Sequence, residues 1–446
     1  MYKEELKRRC MEAIDAEYEN IKAIGEQIYQ NPELGFKEFR TTKTMTEAFR
    51  ALGMNLETEI AYTGCKAYMD KKDGLTVGVI GELDCVACAD HKDSTPEGNV
   101  HACGHNVQLS NIYGCAVGLI KSGVWKELSG NVEFIAIPAE ECVDYEYRDG
   151  LIHDGKISFY GGKQEYVKRG GFDNIDMILQ CHMMEMEDPE KACIINTACN
   201  GFITKTITFL GEAAHAGFAP FEGINALNMA ELALNNIHAQ RETFKDDDKV
   251  RVSAVITKGG ELVNVVPAKV EMQVMVRAFN VKAMIDASKK VDRALKAAAL
   301  ALGGKVEIRD KMGYLPMKTD RNISKLYRQN MIEFAGVNKD AFVEDYETAG
   351  STDLGDISQM KPCMHIWSGG VTGGLHSKEY QIADTEKAYI LPAKMLAATV
   401  IDLLYENAET AKEIKQQFQP SFTKESYLEF MKEHTGTTYF DGAEKI

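Results

Sequence analysis

Apolar residues recur along this chain with two periods, and the places where one gives way to the other mark its elements. Over residues 3–30, Leu6, Cys10, Ala13, Ile14, Tyr18, Ile21 and Ile28 fall near one face of a helix. Asn31-Pro32 ends that helix, because a residue before proline is pushed out of the helical region. A second helix is predicted over about 38–51, closed by Gly53 where glycine is favoured after a helix end. Short apolar runs at 65–69, 75–81, 131–137 and 176–181 then predict strands, and 106–120 predicts a helix. Short buried strands alternating with helices predict an α/β layer structure with a mixed central sheet.

Near residue 200 the rhythm changes. Segment 202–210, FITKTITFL, alternates and is rich in β-branched residues, as a half-solvated strand should be. A helix at about 224–240, strands at 250–257 and 268–277, and a helix at about 281–302 follow. This β-α-β-β-α-β block predicts a small α+β domain with an open antiparallel, ferredoxin-like sheet. After Pro316 the α/β rhythm resumes, with helices at about 322–335 and 385–405. The expected organisation is one discontinuous domain, 1–200 and 316–446, interrupted by an inserted domain, 201–315.

Composition agrees with two domains, since 446 residues exceed one ordinary hydrophobic core. Apolar residues make up 45% and charged residues 26%, which is globular and argues against disorder. With 51 Lys and Arg against 67 Asp and Glu the formal net charge is −16, so no nucleic-acid partner is expected. No apolar run approaches the ~18 residues of a membrane helix. The apolar stretch 390–404 carries Pro392, Lys394 and Asp402 and reads as an amphipathic helix. MYKEELKRRC at the start lacks the apolar stretch of a secretory signal. The cysteines number 11, odd and scattered, which predicts reduced thiols. A cytoplasmic protein with no membrane partner is the expectation.

Three clusters of chemically capable residues follow predicted strands. They are Asn99-Val100-His101-Ala102-Cys103-Gly104-His105-Asn106, the strand VEFIAIP with Ala139-Glu140-Glu141-Cys142, and the strand DMILQC ending at His182. Ligands of open α/β sheets bind beyond the carboxyl ends of the strands, so the three can converge. Cys103 and His105, two apart around a glycine, can reach one metal ion or two adjacent ones. Glu140 and Glu141 are costly to bury side by side. They make sense if one binds a cation while the other handles protons. His376, in Gly373-Gly374-Leu375-His376-Ser377, completes the set as a further strand-end histidine. Singly, each residue has an ordinary structural explanation; in this order and context they predict a metal site.

These segments resemble the zinc- and manganese-dependent amidohydrolases of the aminoacylase and carboxypeptidase metallopeptidase family. The branch most like this chain is that of the p-aminobenzoyl-glutamate hydrolases and peptidase-domain-containing dipeptidases. Besides the clusters above, the matching pieces are Gly81-Glu82-Leu83-Asp84, Ala213-Ala214-His215-Ala216, Lys258-Gly259-Gly260, Asn264-Val265-Val266-Pro267, Arg277-Ala278 and Gly350-Ser351-Thr352-Asp353. The resemblance runs from about residue 20 to 405. It implies a zinc-peptidase-like catalytic domain, helices on both faces of its sheet, and an inserted lid or dimerisation domain that makes the protein a homodimer. It also implies two divalent metal ions per chain, zinc or manganese, held by Cys103, His105, Glu141, His182 and His376. Glu140 becomes the general base of amide hydrolysis, and Asp84 the group that orients a ligand. His215 would donate to the developing oxyanion, in the partner subunit's site, while Asn264 and Arg277 would bind the substrate's amide and carboxylate.

The sequence departs from that family in four places. Asn106 stands where many members carry Asp, and Glu82 where others have His or Asp. Cys142 follows the glutamate pair, and the stretch up to His182 is long and rich in tyrosine (Tyr145, Tyr147, Tyr160, Tyr166). The substrate stays open among p-aminobenzoyl-glutamate-like amides, dipeptides (those with a basic or β-amino acid included) and N-acyl amino acids. Two other classes compete: a catalytically silent ligand-binding relative, and a thiol hydrolase using Cys103 with His105.

Overall fold

The computed structural model describes residues 2–443. Its strands of three residues or more are β1 (Asn55–Ile60), β2 (Gly64–Tyr68), β3 (Leu75–Glu82), β4 (Gly130–Ile137), β5 (Met177–Met183), β6 (Cys193–Ile195), β7 (Gly201–Leu210), β8 (Arg251–Lys258), β9 (Lys269–Ala278), β10 (Lys305–Met312), β11 (Phe342–Glu344), β12 (Cys363–Ser368) and β13 (Gly436–Asp441). Its longer helices are α1 (Tyr2–Ala16), α2 (Tyr18–Tyr29), α3 (Phe39–Ala51), α4 (His105–Lys121), α5 (Tyr145–His153), α6 (Gly162–Arg169), α7 (Ala226–Ala239), α8 (Val281–Leu302), α9 (Arg321–Phe334), α10 (Leu391–Leu404), α11 (Glu409–Gln417) and α12 (Lys424–Glu433). The chain divides into two compact units. One takes the residues up to Ala198 with Lys318–Glu347 and Asp356–Ser421; the other takes Cys199–Met317, Thr348–Gly355 and the segment from Phe422.

The first unit is of the α/β class, built on an eight-stranded mixed sheet ordered β1-β2-β4-β3-β5-β12-β6-β11. Strands β4, β3, β5 and β12 run parallel in its centre. They are buried along nearly their whole length, as parallel strands covered on both faces must be. Helix α4 is buried almost throughout and packs against α1, α2, α10 and β3. The carboxyl ends of β3, β4 and β5 carry Glu82, the Glu140-Glu141 loop and His182.

Two helices differ from the pattern's expectation. The predicted 3–30 helix is broken at Glu17 (φ −109°, ψ 16°) into α1 and α2. The apolar stripe continues across the break, with Leu6, Cys10, Ile14, Ile21 and Ile28 all buried, and a bend lets both halves lie against α4. The predicted 385–405 helix opens with a wide π turn, Glu386–Ile390, before α10, which has Pro392 in its first turn. Among the described residues no single helix is long and apolar enough to cross a membrane; α10 is apolar because it is core.

The second unit holds an antiparallel sheet ordered β8-β9-β7-β10-β13. Its first four strands and α7 and α8 have the β-α-β-β-α-β connectivity expected. Ile207, Phe209, Met229, Val274, Leu295 and Val306 form its core. Asn225 caps α7 through the N–H groups of Leu227 and Asn228, and Asn280 caps α8 through Ala283. The fifth strand corrects the expected boundaries, which left all of 316–446 with the first domain. β13 pairs with β10 from Lys305↔Asp441 to Asp310↔Gly436, so the chain's last strand closes the sheet of the second unit. Without it β10 would be a bare edge, with unpaired N–H and C=O groups.

Ending the chain at Ser421 is therefore expected to destabilise the second unit alone. Its melting transition should fall by at least ~5 °C and cleavage within 305–312 should accelerate in limited proteolysis. An unchanged transition would mean that β13 contributes nothing.

Candidate metal centre

Short connections at the ends of the parallel strands aim the predicted ligands of the first unit inward. Gly104 has φ +83°, and a Cβ there would lie 2.4 Å from the hydroxyl of Tyr380, so only glycine fits. Cys103 and His105 flank it, 5% and 1% exposed, and His105 opens α4. Glu140 and Glu141 follow β4, beyond Ala139, which itself has φ +54°. His182 lies at the end of β5. His376 is not at a strand end as expected. It sits in the loop between the short strands Val371–Thr372 and Gln381–Ile382, with φ +59° and its N–H donating to the carbonyl of Ala102 at 2.8 Å. A left-handed non-glycine residue costs on the order of 1–3 kcal/mol and persists where its surroundings hold it.

The five predicted ligands meet as two triads sharing one corner. Donor atoms of Cys103, His105 and His182 lie within 4.8 Å of one another, as do those of Cys103, Glu141 and His376. The Cys103 sulfur is 3.7 Å from Nε2 of His182, and Nε2 of His376 is 2.9 Å from Oε1 of Glu141. Glu140 forms a third group with His105 and Glu141 within the same 4.8 Å.

The surroundings suit a cation. Nδ1 of His105 is 2.8 Å from the carbonyl of Asp84 and 3.2 Å from its Oδ1, so Nδ1–H donates there and Nε2 becomes the lone-pair donor once its own proton is lost. That buried Nε2 has no hydrogen-bond partner. Oδ2 of Asp84 accepts the N–H of Glu141 at 2.8 Å, so this one carboxylate orients a predicted ligand from each triad. Nδ1 of His182 lies 2.8 Å from the N–H of Met183 and 3.0 Å from its carbonyl, Nε2 faces Cys103, and the Trp367 ring packs with its centroid 4.3 Å away. A thiolate, imidazoles and a carboxylate are a donor set for zinc or manganese, so these residues fit the implied ions.

Sequence reasoning missed the polar layer beneath. Oε1 of Glu82 accepts from Lys163 at 2.6 Å and Gln180 at 2.7 Å, Oε2 accepts from Gln108 at 2.7 Å, and Oε2 also faces Nε2 of His105 at 3.1 Å. A glutamate and a glutamine inside apolar strands were the available signal. Nothing local marks Lys163.

These neighbours set the charges of the donors. Burial opposes protonation of His105, but Glu82, Asp84 and Glu141 outweigh it and raise its pKa to about 9. Burial pushes His182 down to about 3, against the pull of Glu82, so its imidazole is neutral. Burial and then Glu141, Glu140 and Glu82 hold the Cys103 thiol well above its ordinary value. A thiol kept protonated in this way is a poor nucleophile, which counts against the thiol-hydrolase alternative.

The remaining predicted residues lie in the second unit. The exposed His215 accepts at Nδ1 from the N–H groups of Gly217 (3.2 Å) and Phe218 (3.0 Å), so Nε2 carries the hydrogen and points it outward. Asn264 is exposed, and its carbonyl accepts the N–H of Ala216 at 3.0 Å, knitting the two loops together. Arg277 is half-buried on β9; its Nη1 donates to the carbonyl of Ala349 at 3.2 Å and the hydroxyl of Ser351 at 3.0 Å.

Since Cys103 and His105 are both protonated in the metal-free protein, metal uptake must expel about two protons near pH 7. His105's raised pKa means that the proton competes more strongly as pH falls. Affinity for zinc or manganese is therefore expected to rise at least ~tenfold per pH unit up to about 9. Calorimetry in buffers of different ionisation enthalpy measures the protons directly; a pH-independent affinity between about 6 and 8, roughly one to three units below that pKa, would contradict it.

The model of Peptidase family M20/M25/M40 matches residues 78–402. The Xaa-Arg dipeptidase of Mus musculus is 27% identical over 95% of this chain and 94% of its own length. One of the p-aminobenzoyl-glutamate hydrolase subunits of Escherichia coli is 25% identical over 93% of this chain and 95% of its own. Among solved structures, the Bacillus subtilis YXEP protein, a dinuclear metal binding peptidase of the M20 family, aligns with a TM-score of 0.67 at 19% identity, covering 87% of this chain and 99% of that one. With nearly three quarters of its length inside the family match, the chain belongs to Peptidase family M20/M25/M40 and is a metal-dependent hydrolase.

Proposed function

We propose that this enzyme hydrolyses the amide bond of an N-acyl or N-aminoacyl amino acid, with Glu140 as general base. The substrate classes are dipeptides, p-aminobenzoyl-glutamate-like conjugates and N-acyl amino acids. The observation that carries this reading is the pair of triads sharing Cys103, with Glu140 within 4.8 Å of donor atoms of His105 and Glu141. Cys103, His105 and His182 would hold one divalent ion, and Cys103, Glu141 and His376 the other. Zinc and manganese both suit the set, and the thiolate favours zinc. When bound, the ions polarise the scissile carbonyl and acidify water. Glu140 takes the proton from that water and delivers it to the departing amine.

The second unit supplies the groups that read the substrate. Nε2–H of His215 is a preset donor for the developing oxyanion, and we assign it to the partner subunit's active site in a homodimer. The exposed edge strand β8 and the exposed Phe218, Phe221, Leu262 and Val263 support an interface on this unit. Arg277, steadied by Ser351, suits the free carboxylate that all three substrate classes share. Dipeptides ending in a basic residue come first among them, because a relative matched across 95% of the chain is named for that specificity. The eleven cysteines, none of them in a disulfide, support a reducing, cytoplasmic setting.

Amine release from a panel of the three classes, with zinc-loaded and manganese-loaded protein, tests the reading. Turnover of one class is expected and should vanish on chelation. Silence across the panel with metal bound would contradict it. Glu140→Gln should keep its metal and lose roughly two to four orders of magnitude in kcat; near-normal turnover would remove Glu140 as the base. Mixing His215→Ala with Glu140→Gln protein should restore part of the activity through hybrid dimers, whereas no recovery despite subunit exchange would keep His215 within its own chain.

A further inference from the structure

Helix α5, in the tyrosine-rich stretch, carries Arg148, whose side chain is fully buried. Its Nη1 donates to the carbonyl of Tyr160 at 2.6 Å, and its Nη2 donates to the carbonyl of Glu141. The guanidinium lies over Phe36, 5.4 Å from the ring centroid. Nε has no hydrogen-bond partner, and among the described residues no carboxylate forms an ion pair with the group, although its charge acts on Asp144 at the start of the helix. Burying a cation under these terms is costly, and a leucine or methionine would serve packing alone better. The charge is retained for the two carbonyls.

The loop that it holds is strained and clasped at several points. Ala139 and Asp144 both have φ +54°. The N–H of Ala139 is bound by the buried Glu38 at 2.8 Å, and the carbonyl of Ala139 accepts from Gly162 at 3.1 Å. Glu141 is gripped on both sides: Asp84 accepts its N–H at 2.8 Å, and Arg148 donates to its carbonyl. Room for the guanidinium depends on Gly35, where a Cβ would lie 2.4 Å from Nη2 and 2.8 Å from the Cα of Ala139.

We propose that Arg148 is a positioning residue for the glutamate loop. By pinning the carbonyls of Glu141 and Tyr160 it directs the Glu141 carboxylate toward Cys103 and His376, and it fixes where Glu140 starts. The tyrosine-rich stretch is then a scaffold of one donor triad. This inference rests on the two-ion reading above, and it predicts an asymmetric effect: the ion on the Glu141 side depends on Arg148, and the ion held by Cys103, His105 and His182 does not.

The test uses the full chain with Arg148→Gln and Arg148→Lys, titrated with manganese and zinc. Both variants are expected to keep their circular-dichroism spectrum and one ion at wild-type affinity. The second ion should bind roughly 10–100-fold more weakly, the usual cost of losing a group that orients a ligand. Millimolar methylguanidinium should restore it in Arg148→Ala, and methylammonium should not. Folded Arg148→Gln with both ions at wild-type affinity would overturn the proposal and leave the two-ion reading standing. Wild-type protein that takes up no metal would overturn both. Should Arg148→Gln not fold, Arg148→Lys decides: it keeps the charge but cannot span both carbonyls, so wild-type affinity for the second ion in it would also overturn the proposal.

Discussion

Crowded negative charge in one buried corner is the constraint on which the first unit depends. Glu82, Asp84, Glu140, Glu141 and the Cys103 sulfur converge there, and carboxylates this close cannot all stay ionised without compensation. Four of them are answered differently. Glu82 has the buried ammonium of Lys163 and two glutamine amides. Asp84 has His105 and a backbone N–H, and Glu141 faces His376. Cys103, shared by both triads, is held neutral as a thiol, with its sulfur 3.7 Å from the neutral imidazole of His182. It is the corner at which mobile positive charge completes the balance.

The scaffold makes this crowding affordable. Parallel strands deliver their carboxyl ends to one edge of the sheet, so residues up to 100 positions apart meet without long excursions of chain. Glycine and left-handed turns then aim the side chains inward within a few residues of each strand end. Backbone strain at Ala139 and His376 is the local cost, offset by hydrogen bonds from the surrounding loops and from Glu38.

Much of this was legible in the sequence where a signal was sustained or shared. The long apolar periods of α4 and α8 locate those helices almost to the residue, because tertiary packing and local pattern agree. Four of the five donors lie within a few residues of a strand end or beside a glycine, and His376 is turned in by its own left-handed backbone in its loop. The break at Glu17 was hidden, since the apolar stripe runs straight across it. Strand β13 was hidden too: GTTYFD is exposed along most of its length, without alternation, and its partner lies far back in the chain. Arg148 and Lys163 sit in YEYRDG and GGKQE, polar segments without an apolar period that would mark them as buried. The carbonyls and carboxylate that bury them come from elsewhere in the fold.

The placement of β12, α10 and β13 has a consequence for how the protein is made. The first unit's central sheet needs Cys363–Ser368 and its core needs Leu391–Leu404, while the sheet of the second unit is closed by Gly436–Asp441. The first unit thus waits on the last fifth of the chain, whereas the buried core of the second, Ile207 to Ile308, is made before it. A ribosome emitting this protein from its N-terminus releases some 350 residues before the core of the first unit can close, at a rate of ~5–20 residues per second, with its apolar strands exposed for tens of seconds. A chain cut short before Leu391 leaves the first unit's core unfilled.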